Sequence, residues 1–347
     1  MENDRVTQFA EALRAAGIIL KGDPVFDDRI HRVDVEGKPG GRDASYRVKT
    51  EGGRAYGWFQ NWTMHTEPQP WHANGDHRLT REQRSHLEQE RATQNATREK
   101  ALQERHDRVA AVCQALWDGA VPVETHPYLT RKGVLSYGLR QGAPGQTMTI
   151  IDDDGAPRTI DLAGRLFVPV RDVQGKLWSL QYINDDGRKR YHPGGRKEGC
   201  HHLIRSDGGS PHLFIVEGYS TGASVHKISG KCPIAVAFDA GNLLAVAHAH
   251  QALRPEAPPV IVGDNDHQRE RETAPDRKPR PNTGKIAARA AAEAVGGIAV
   301  LPQFSAEEPD LSDWNDKVAA VGIGEASVQF WSALASAERT RREIMER

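Results

Sequence analysis

The sequence predicts an open α/β domain with a parallel sheet in its second half, preceded by a mixed α+β segment and by a small α+β unit. Three observations support this fold class. From residue 211 onward, short apolar runs alternate with helical stretches, which is typical of a parallel sheet buried on both faces. Before residue 211, shorter strand-like stretches are separated by Gly- and Asp-containing turns. A length of 347 residues leaves room for two or three hydrophobic cores.

The chain divides into five segments by pattern and composition. Residues 1–66 combine a predicted helix with strand-like stretches, which indicates a small α+β domain. Residues 67–119 form a polar linker and then a charged helix that opens at the capping-box pattern Thr80-Arg81-Glu82-Gln83. We interpret this helix as a connecting element; a helix that grips DNA is the alternative. The remaining segments are the mixed α+β subdomain (120–210), the open α/β domain (211–325) and an amphipathic C-terminal helix (326–347).

Composition is that of a protein that folds in water, with 38% hydrophobic and 27% charged residues. No apolar run approaches the length that spans a bilayer, and the N-terminus is acidic and then amphipathic, unlike a signal peptide. We therefore expect a cytoplasmic protein without a membrane partner. The formal net charge of -1 means that any affinity for nucleic acid must come from local basic surface.

The cysteines Cys113, Cys200 and Cys232 lie far apart, and none belongs to a CxxC pair. This spacing argues against disulfides and against a four-ligand zinc ribbon, so we expect no zinc. The 15 histidines include no HExxH pattern, and we interpret most of them as surface residues. The sequence also contains no P-loop, the glycine-rich loop that ends in Gly-Lys-Ser/Thr.

Acidic residues follow three of the predicted strands of the α/β domain. Glu217 ends the first strand, Asp264 and Asp266 follow the third, and Asp310 and Asp313 follow the fourth. The carboxyl ends of parallel strands share one edge of a sheet, where ligands gather. Uncompensated buried charge is costly, and a set of carboxylate oxygens suits Mg²⁺ or Mn²⁺ better than zinc. The pattern therefore predicts a divalent metal site, although each acid alone is typical of a turn or a cap.

The order of these acids resembles the TOPRIM fold, an open parallel sheet with helices on both faces. The resemblance covers about residues 211–316 and includes Phe214-Ile215-Val216-Glu217-Gly218-Tyr219 and Asp264-Asn265-Asp266. Bacterial-type primases, type IA and II topoisomerases and some nucleases share this fold. Two features depart from the pattern: Thr221 stands where replicative primases have a further aspartate, and residues 267–282 form an insert.

Upstream, the block Gly164-Arg165-Leu166-Phe167-Val168-Pro169-Val170-Arg171-Asp172 resembles the N-terminal half of the primase polymerase core. The block continues to Lys189-Arg190-Tyr191, and His126-Pro127-Tyr128-Leu129 is similar to the lead-in of plasmid and phage primases. Residues 1–66 resemble the small N-terminal domain of such mobile-element primases, in a form without the zinc ribbon.

The resemblance implies a DNA primase that makes short primers on single-stranded DNA by metal-dependent nucleotidyl transfer, in plasmid, phage or integrative-element replication. It implies NTPs, a single-stranded template and a separate replicative helicase as partners, and Mg²⁺ or Mn²⁺ as cofactor. Catalysis is expected at Glu217, Asp264 and Asp266. Asp310 and Asp313 are expected to complete the metal ligands, and Glu217 is either a ligand or the general base.

Five basic residues are candidates for binding nucleotide or DNA: Arg165, Arg171, Lys189, Arg190 and Lys285. A solvated position explains each of them about as well. The aromatic residues of the N-terminal unit either stack unpaired bases or form its core; they are Tyr46, Tyr56, Trp58, Phe59 and Trp62.

Two rival functions use similar residues. A TOPRIM nuclease would use the same acids to cut DNA, and a replication-initiation protein would bind DNA without catalysis. The block from Gly164 to Tyr191 favours polymerisation, and retention of all five acids argues against loss of catalysis. Tyr219 follows Gly218, and we interpret it as a packing residue rather than a topoisomerase nucleophile.

Overall fold

The computed structural model describes residues 2–65, 67–73, 81–151, 156–206, 208–268, 270, 281–305, 308 and 310–346. The chain forms two compact units, Met1–Ala96 and Thr97–Arg347. Most of the predicted insert at 267–282, and Thr80 of the predicted capping box, lie outside the described residues.

The first unit contains helix α1 (Glu2–Ala15) and a five-stranded antiparallel sheet in the order β1-β2-β3-β4-β5. The strands are β1 (Ile18–Ile19), β2 (His31–Val35), β3 (Ala44–Glu51), β4 (Arg54–Asn61) and β5 (Gln69–His72). Alternate residues of β3 point toward α1, so Tyr46 and Val48 pack with Phe9 and Leu13 in one core. Strand β5 lies within the stretch predicted as a polar linker, and its Pro70 suits an edge strand because proline cannot donate to a further neighbour.

Helix α2 (Arg81–Asp118) starts in the first unit and ends in the second. The end of α2 packs Cys113 and Trp117 into a core with Phe167, Leu180 and Tyr182 of the middle sheet. The second half of α2 is therefore part of the core of the second unit, which agrees with its interpretation as a connecting element.

The middle sheet has the order β12-β11-β10-β7-β6. Its strands, in chain order, are β6 (Val121–Pro122), β7 (Arg140–Gln141), β10 (Leu166–Arg171), β11 (Leu177–Ile183) and β12 (Lys189–Tyr191). Strands β8 (Thr147–Ile151) and β9 (Pro157–Asp161) form a separate hairpin. The lead-in motif forms the short helix α3 (Pro127–Lys132), in which Nδ1 of His126 accepts a 3.1 Å bond from the backbone N–H of Tyr128.

The third sheet has the order β13-β15-β14-β16-β17. Its strands are β13 (His202–Ile204), β14 (Phe214–Val216), β15 (Ile234–Val236), β16 (Val260–Val262) and β17 (Ile298–Val300). Strands β14 to β17 are parallel, as predicted, whereas β13 runs antiparallel at one edge. The chain passes from β14 to β15 on one side and then to β16 on the other, which creates a topological switch point.

Helices cover both faces of this sheet. They are α4 (Tyr219–Ile228), α5 (Leu243–Leu253), α6 (Thr283–Ala294) and α7 (Trp314–Met345), with a 3₁₀ turn at Ala240–Asn242 before α5. Phe214 and Val216 of β14 pack on the α4 and α7 side, and Ile215 between them packs on the α5 and α6 side. The observed fold is therefore the predicted open α/β arrangement.

Helix α7 merges the last part of the α/β domain with the predicted C-terminal helix. Gly322 breaks its helical geometry with φ 78° and ψ 167°. The stretch Trp314–Ile344 is long and apolar enough to cross a membrane by length and composition alone. That finding carries little weight for one helix, and Trp314, Phe330 and Leu334 pack into the core of the second unit.

The three cysteines are free thiols, and all are buried. Burial raises the pKa of Cys113 and of Cys200 to about 12. Thiols with such pKa values are poor nucleophiles and poor metal ligands at neutral pH.

Candidate active site

The carboxyl ends of three adjacent parallel strands bring acidic residues together. Glu217 follows β14, Asp239 lies just beyond β15, and Asp264 and Asp266 lie just beyond β16. We call this group the carboxylate edge. Its members interact electrostatically: burial raises the pKa of Glu217, and the charges of Asp239 and Asp266 raise it further. The switch point of the sheet therefore has an excess of negative charge.

Asp264 is the most perturbed member of the carboxylate edge. Burial raises its pKa well above the ordinary value, and repulsion from Asp313, Glu217 and Asp266 adds to the rise. Its Oδ1 atom is buried and has no hydrogen-bond partner among the described residues. A buried carboxylate oxygen without a donor is costly unless a proton or a cation compensates it.

Two glycines allow α6 to approach the strand end that carries Asp264. A Cβ atom on Gly263 would lie 2.5 Å from the Cβ of Ala288, and one on Gly284 would lie 3.0 Å from the carbonyl oxygen of Asp264. Real Cβ atoms do not tolerate the first distance, so glycine is required there for helix and strand to pack this closely.

Asn265 fixes the loop between Asp264 and Asp266. Its side-chain amide donates to the carbonyl of Pro302 at 2.8 Å and accepts from Nδ2 of Asn282 at 2.9 Å. Its backbone N–H donates to the carbonyl of Ser312 at 2.7 Å. These bonds hold the loop against the segments that lead into α6 and α7.

Asp313 and Asp310 occupy different environments. Asp313 caps α7 by accepting from the backbone N–H of Asp316 at 2.8 Å, and it also accepts from Thr221 Oγ1 at 2.9 Å. Its charge still contributes to the raised pKa of Asp264. Asp310 is exposed and accepts a 3.3 Å bond from Gln268 Nε2. Asp310 is not among the main charges that raise the pKa of Glu217 or Asp264.

The carboxylate edge fits a divalent cation by charge and by ligand chemistry. As the side chains stand, no three His, Cys, Asp or Glu residues within the described ranges converge tightly enough to enclose an ion. Mutual repulsion among the carboxylates favours such separation. The unpartnered Oδ1 of Asp264 is the atom that most needs a cation. Glu217, Asp264 and Asp266 would hold the ion.

Adjacent residues of β12 point to opposite faces, and this separates Lys189 from Arg190. Lys189 pairs in register with Ile183 and Arg190 with Tyr182. A Cβ on Gly218 would lie 3.8 Å from the ammonium of Lys189, and that charge lowers the pKa of both Glu217 and Asp264. Lys189 therefore faces the carboxylate edge.

The other predicted basic residues do not join the carboxylate edge. Arg190 lies on the face of β12 that carries Tyr182, and the charge of Arg165 also acts on Tyr182. Arg171 lies over the ring of Trp117 at 5.7 Å and donates to the carbonyl of Gly175. Lys285 forms an ion pair with Glu270 at 3.1 Å. The strand register places Arg190 on the other face of β12, and the local partners hold Arg171 at Trp117 and Lys285 at Glu270.

Two residues of the site were missed by the sequence analysis, Asp239 and Lys197. Asp239 follows the apolar run Ile234-Ala235-Val236-Ala237-Phe238, so the strand-end argument used for Glu217 would have found it. Lys197 forms an ion pair with Asp239 from a loop after β12, and its sequence carries no signal for that contact.

Tyr219 joins the α/β domain to the preceding subdomain. Its hydroxyl donates to the carbonyl of Leu135 at 2.9 Å and accepts from the backbone N–H of Tyr137 at 2.7 Å. Burial raises its pKa, so the hydroxyl stays protonated. The interpretation of Tyr219 as a packing residue agrees with this environment.

Comparisons with known proteins extend over most of the chain. Residues 212–324 match the Toprim domain family. Two Escherichia coli proteins, both named DNA primase TraC, are 33% identical over 311 residues and 34% identical over 314 residues. Each alignment covers 87% of this chain but only 27% and 20%, respectively, of the relative. The chain thus spans about a quarter or less of the curated relatives it matches.

A solved structure of the DnaG primase catalytic domain bound to ssDNA is 15% identical, with a TM-score of 0.40. That match covers 69% of this chain and 83% of the solved one. The matched Toprim region includes Glu217, Asp264 and Asp266. Residues 212–324 therefore belong to the Toprim domain family, and most of the chain is similar to part of the DNA primase TraC.

Proposed function

We propose that this chain synthesises short primers on single-stranded DNA by nucleotidyl transfer, as part of the replication of a mobile element. The observation that carries the proposal is the position of Lys189, whose ammonium faces a carboxylate edge at the switch point of the sheet. A lysine beside cation-binding acids suits a substrate that brings several phosphate charges. The named relatives support the same reaction.

The residues of the edge would act by binding and orienting the reactants. Asp264 and Asp266 would hold a divalent cation, with Asp313 nearby as a helix cap and as a source of negative potential. Glu217 would share the cation or accept the proton of the attacking 3′-hydroxyl. A bound Mg²⁺ or Mn²⁺ would activate that hydroxyl and offset charge on the phosphates. Lys189 would bind the triphosphate and orient its α-phosphate toward the hydroxyl.

The outer face of the N-terminal sheet supports template binding by residues 1–66. Tyr46 and Phe59 pack near Phe9 in the core, with ring centroids 5.6 and 6.4 Å from it. Trp58 falls on the opposite face by the alternation of β4, and Trp62 follows the end of that strand. Tyr46 and Phe59 therefore support the core alternative, whereas Trp58 supports the stacking alternative.

Positive charge accompanies the outer aromatic residues. The guanidinium of Arg32 lies 4.2 Å from the ring centroid of Trp62, which is 40% exposed. Arg47 lies opposite Trp58 in register. Aromatic rings beside arginines suit stacked, unpaired bases and the phosphates that follow them. Asp28 offsets part of this charge, so binding is expected to be moderate and salt-sensitive.

The proposed reaction also implies a partner protein. A template must be single-stranded before it can be copied, so a separate replicative helicase is the expected partner. A cytoplasmic location and Mg²⁺ or Mn²⁺ as the cation are part of this proposal.

The direct test incubates the protein with single-stranded DNA, labelled NTPs and Mg²⁺ or Mn²⁺. We expect short oligomers that depend on the template and disappear in Asp264→Ala or Asp266→Ala. Nicking of DNA without NTPs, combined with no oligomer in their presence, would favour the nuclease. DNA binding with neither activity would favour the non-catalytic initiation protein.

A further inference from the structure

An ion pair closes one side of the carboxylate edge. Nζ of Lys197 contacts Oδ2 of Asp239, and the two side chains are 38% and 36% exposed. Lys197 also lies 5.6 Å from the ring centroid of Tyr191, on the face of β12 that carries Lys189. The pair is thus beside the candidate active site rather than on a remote surface.

The backbone holds Asp239 in position at some conformational cost. Phe238, the residue before it, is a buried non-glycine residue with φ 77°. Such values are rare for bulky side chains and persist only where the surroundings enforce them. Burial of the Phe238 ring, 6.2 Å from Tyr191, supplies part of that enforcement.

Buried Asn242 links the turn of Asp239 to the loop of Lys197. Its Nδ2 donates to the carbonyls of Ala237 and Cys200, both at 2.9 Å, and its Oδ1 accepts from the backbone N–H of Gly199 at 2.9 Å. Asn242 is 2% exposed, so these bonds are not exchanged with water. These hydrogen bonds therefore fix the backbone near Asp239 and the backbone near Lys197 relative to each other.

Asp239 belongs electrostatically to the same centre as Glu217. Among charged groups, Asp239 has the largest effect on the raised pKa of Glu217, and the backbone amide of Ala240 donates to the Glu217 carboxylate. The nearby Oδ1 of Asp264 is buried without a partner among the described residues, which independently points to cation binding at this edge.

We propose that Asp239 is a further carboxylate of the cation-binding centre and that Lys197 is its internal counter-ion. Lys197 neutralises Asp239 while no divalent cation is bound, and it competes with that cation for the carboxylate. Its release would leave a free ammonium close to the phosphates of an incoming nucleotide. This inference rests on the proposed function only in requiring that the carboxylate edge bind a divalent cation.

The test is a double-mutant cycle on cation affinity, measured by titration calorimetry with MnCl₂ in the absence of DNA and NTPs. Lys197→Met removes the competitor, and we expect Mn²⁺ to bind up to about fivefold more tightly, the factor expected from a partly exposed ion pair. Asp239→Asn removes a ligand, and we expect about tenfold or more weaker binding. In the Asp239→Asn background, Lys197→Met should have little further effect.

Lys176→Met is the matched control. Lys176 forms an ion pair with Asp107 at 2.7 Å, with both side chains about half exposed, and it also lies over an aromatic ring, Trp178. We expect its Mn²⁺ affinity to equal that of the wild type.

Three results would overturn the proposal. They are unchanged or weaker Mn²⁺ binding in Lys197→Met, unchanged binding in Asp239→Asn, and an equal gain from Lys197→Met with or without Asp239. The last result would mean that the lysine acts as a distant charge. The calorimetry contains no nucleotide, so it does not depend on primer synthesis. If Mn²⁺ affinities follow the expected pattern but the protein makes no primers, only the proposed function is refuted.

Discussion

Replacing Asp264 by asparagine should stabilise the cation-free protein while it abolishes primer synthesis. The change keeps the size of the side chain and removes the charge whose Oδ1 is buried without a partner among the described residues. It also removes the repulsion from Asp313, Glu217 and Asp266. Leaving a buried polar group unsatisfied costs about 1–3 kcal/mol, and we expect the neutral amide to recover about 1 kcal/mol of it. For a unit as large as Thr97–Arg347, that corresponds to a melting temperature higher by about 2–4 °C.

The pH dependence gives a second check on the same change. The folded-state pKa of Asp264 lies well above its ordinary value of 3.8, so protonation favours the folded state. The protonated carboxyl therefore contributes its full stability below pH 3.8, and this stability is lost as the pH rises through the folded-state pKa. Asp264→Asn should gain most over the wild type at about pH 8 and less at about pH 5.

Scanning calorimetry in EDTA measures both effects, with Asp310→Asn as the control because Asp310 is exposed. The control should melt as the wild type does. A lower melting temperature for Asp264→Asn than for the wild type at about pH 8 would refute the reasoning, since it would mean that the carboxylate has a stabilising partner in the folded protein.

Three further changes separate the remaining assignments. Lys189→Ala should raise the apparent KM for NTPs about tenfold or more, because it removes charge-assisted bonds worth about 1.5–3 kcal/mol. Arg190→Ala, on the opposite face of β12, should raise this KM less. Equal effects of the two changes in steady-state kinetics would contradict the strand register. Asp313→Ala should destabilise the protein by about 0.5–2 kcal/mol in urea unfolding even without divalent cation, because it removes the cap of α7, and unchanged stability would argue against that capping role. Trp58→Ala, like deletion of residues 1–66, should weaken single-stranded DNA binding in fluorescence anisotropy, with affinity that falls as salt rises; unchanged affinity in both would move the DNA site to the second unit.

The architecture of the α/β domain could be predicted because its central strands are buried on both faces. Ile215 packs on one side of β14 and Phe214 and Val216 on the other, so the strand is an uninterrupted apolar run. Strands β5 and β13 could not be predicted in the same way. They are edge strands of four and three residues, and their pairing depends on neighbours distant in sequence.

The site was predictable in part because strand ends have a fixed place in this fold. That rule identified Glu217, Asp264 and Asp266, and its incomplete application left out Asp239. The basic candidates came instead from the resemblance to the primase core, which contains no information about side-chain direction. They therefore combined Lys189 with Arg190 and included Arg171, which lies over Trp117. Adjacent strand residues point to opposite faces, so the separation of Lys189 from Arg190 followed from β-strand geometry once β12 was assigned.

All three thiols are buried, and burial raises the pKa of Cys113 and Cys200, so we expect the native chain to react slowly with maleimide and iodoacetamide dyes. A fluorophore can therefore be attached to one introduced cysteine without removing any native one. Met64, which is 67% exposed and follows Trp62 by two residues, is a suitable position. A dye at Met64→Cys would test in real time whether nucleic acid binds close to Trp62.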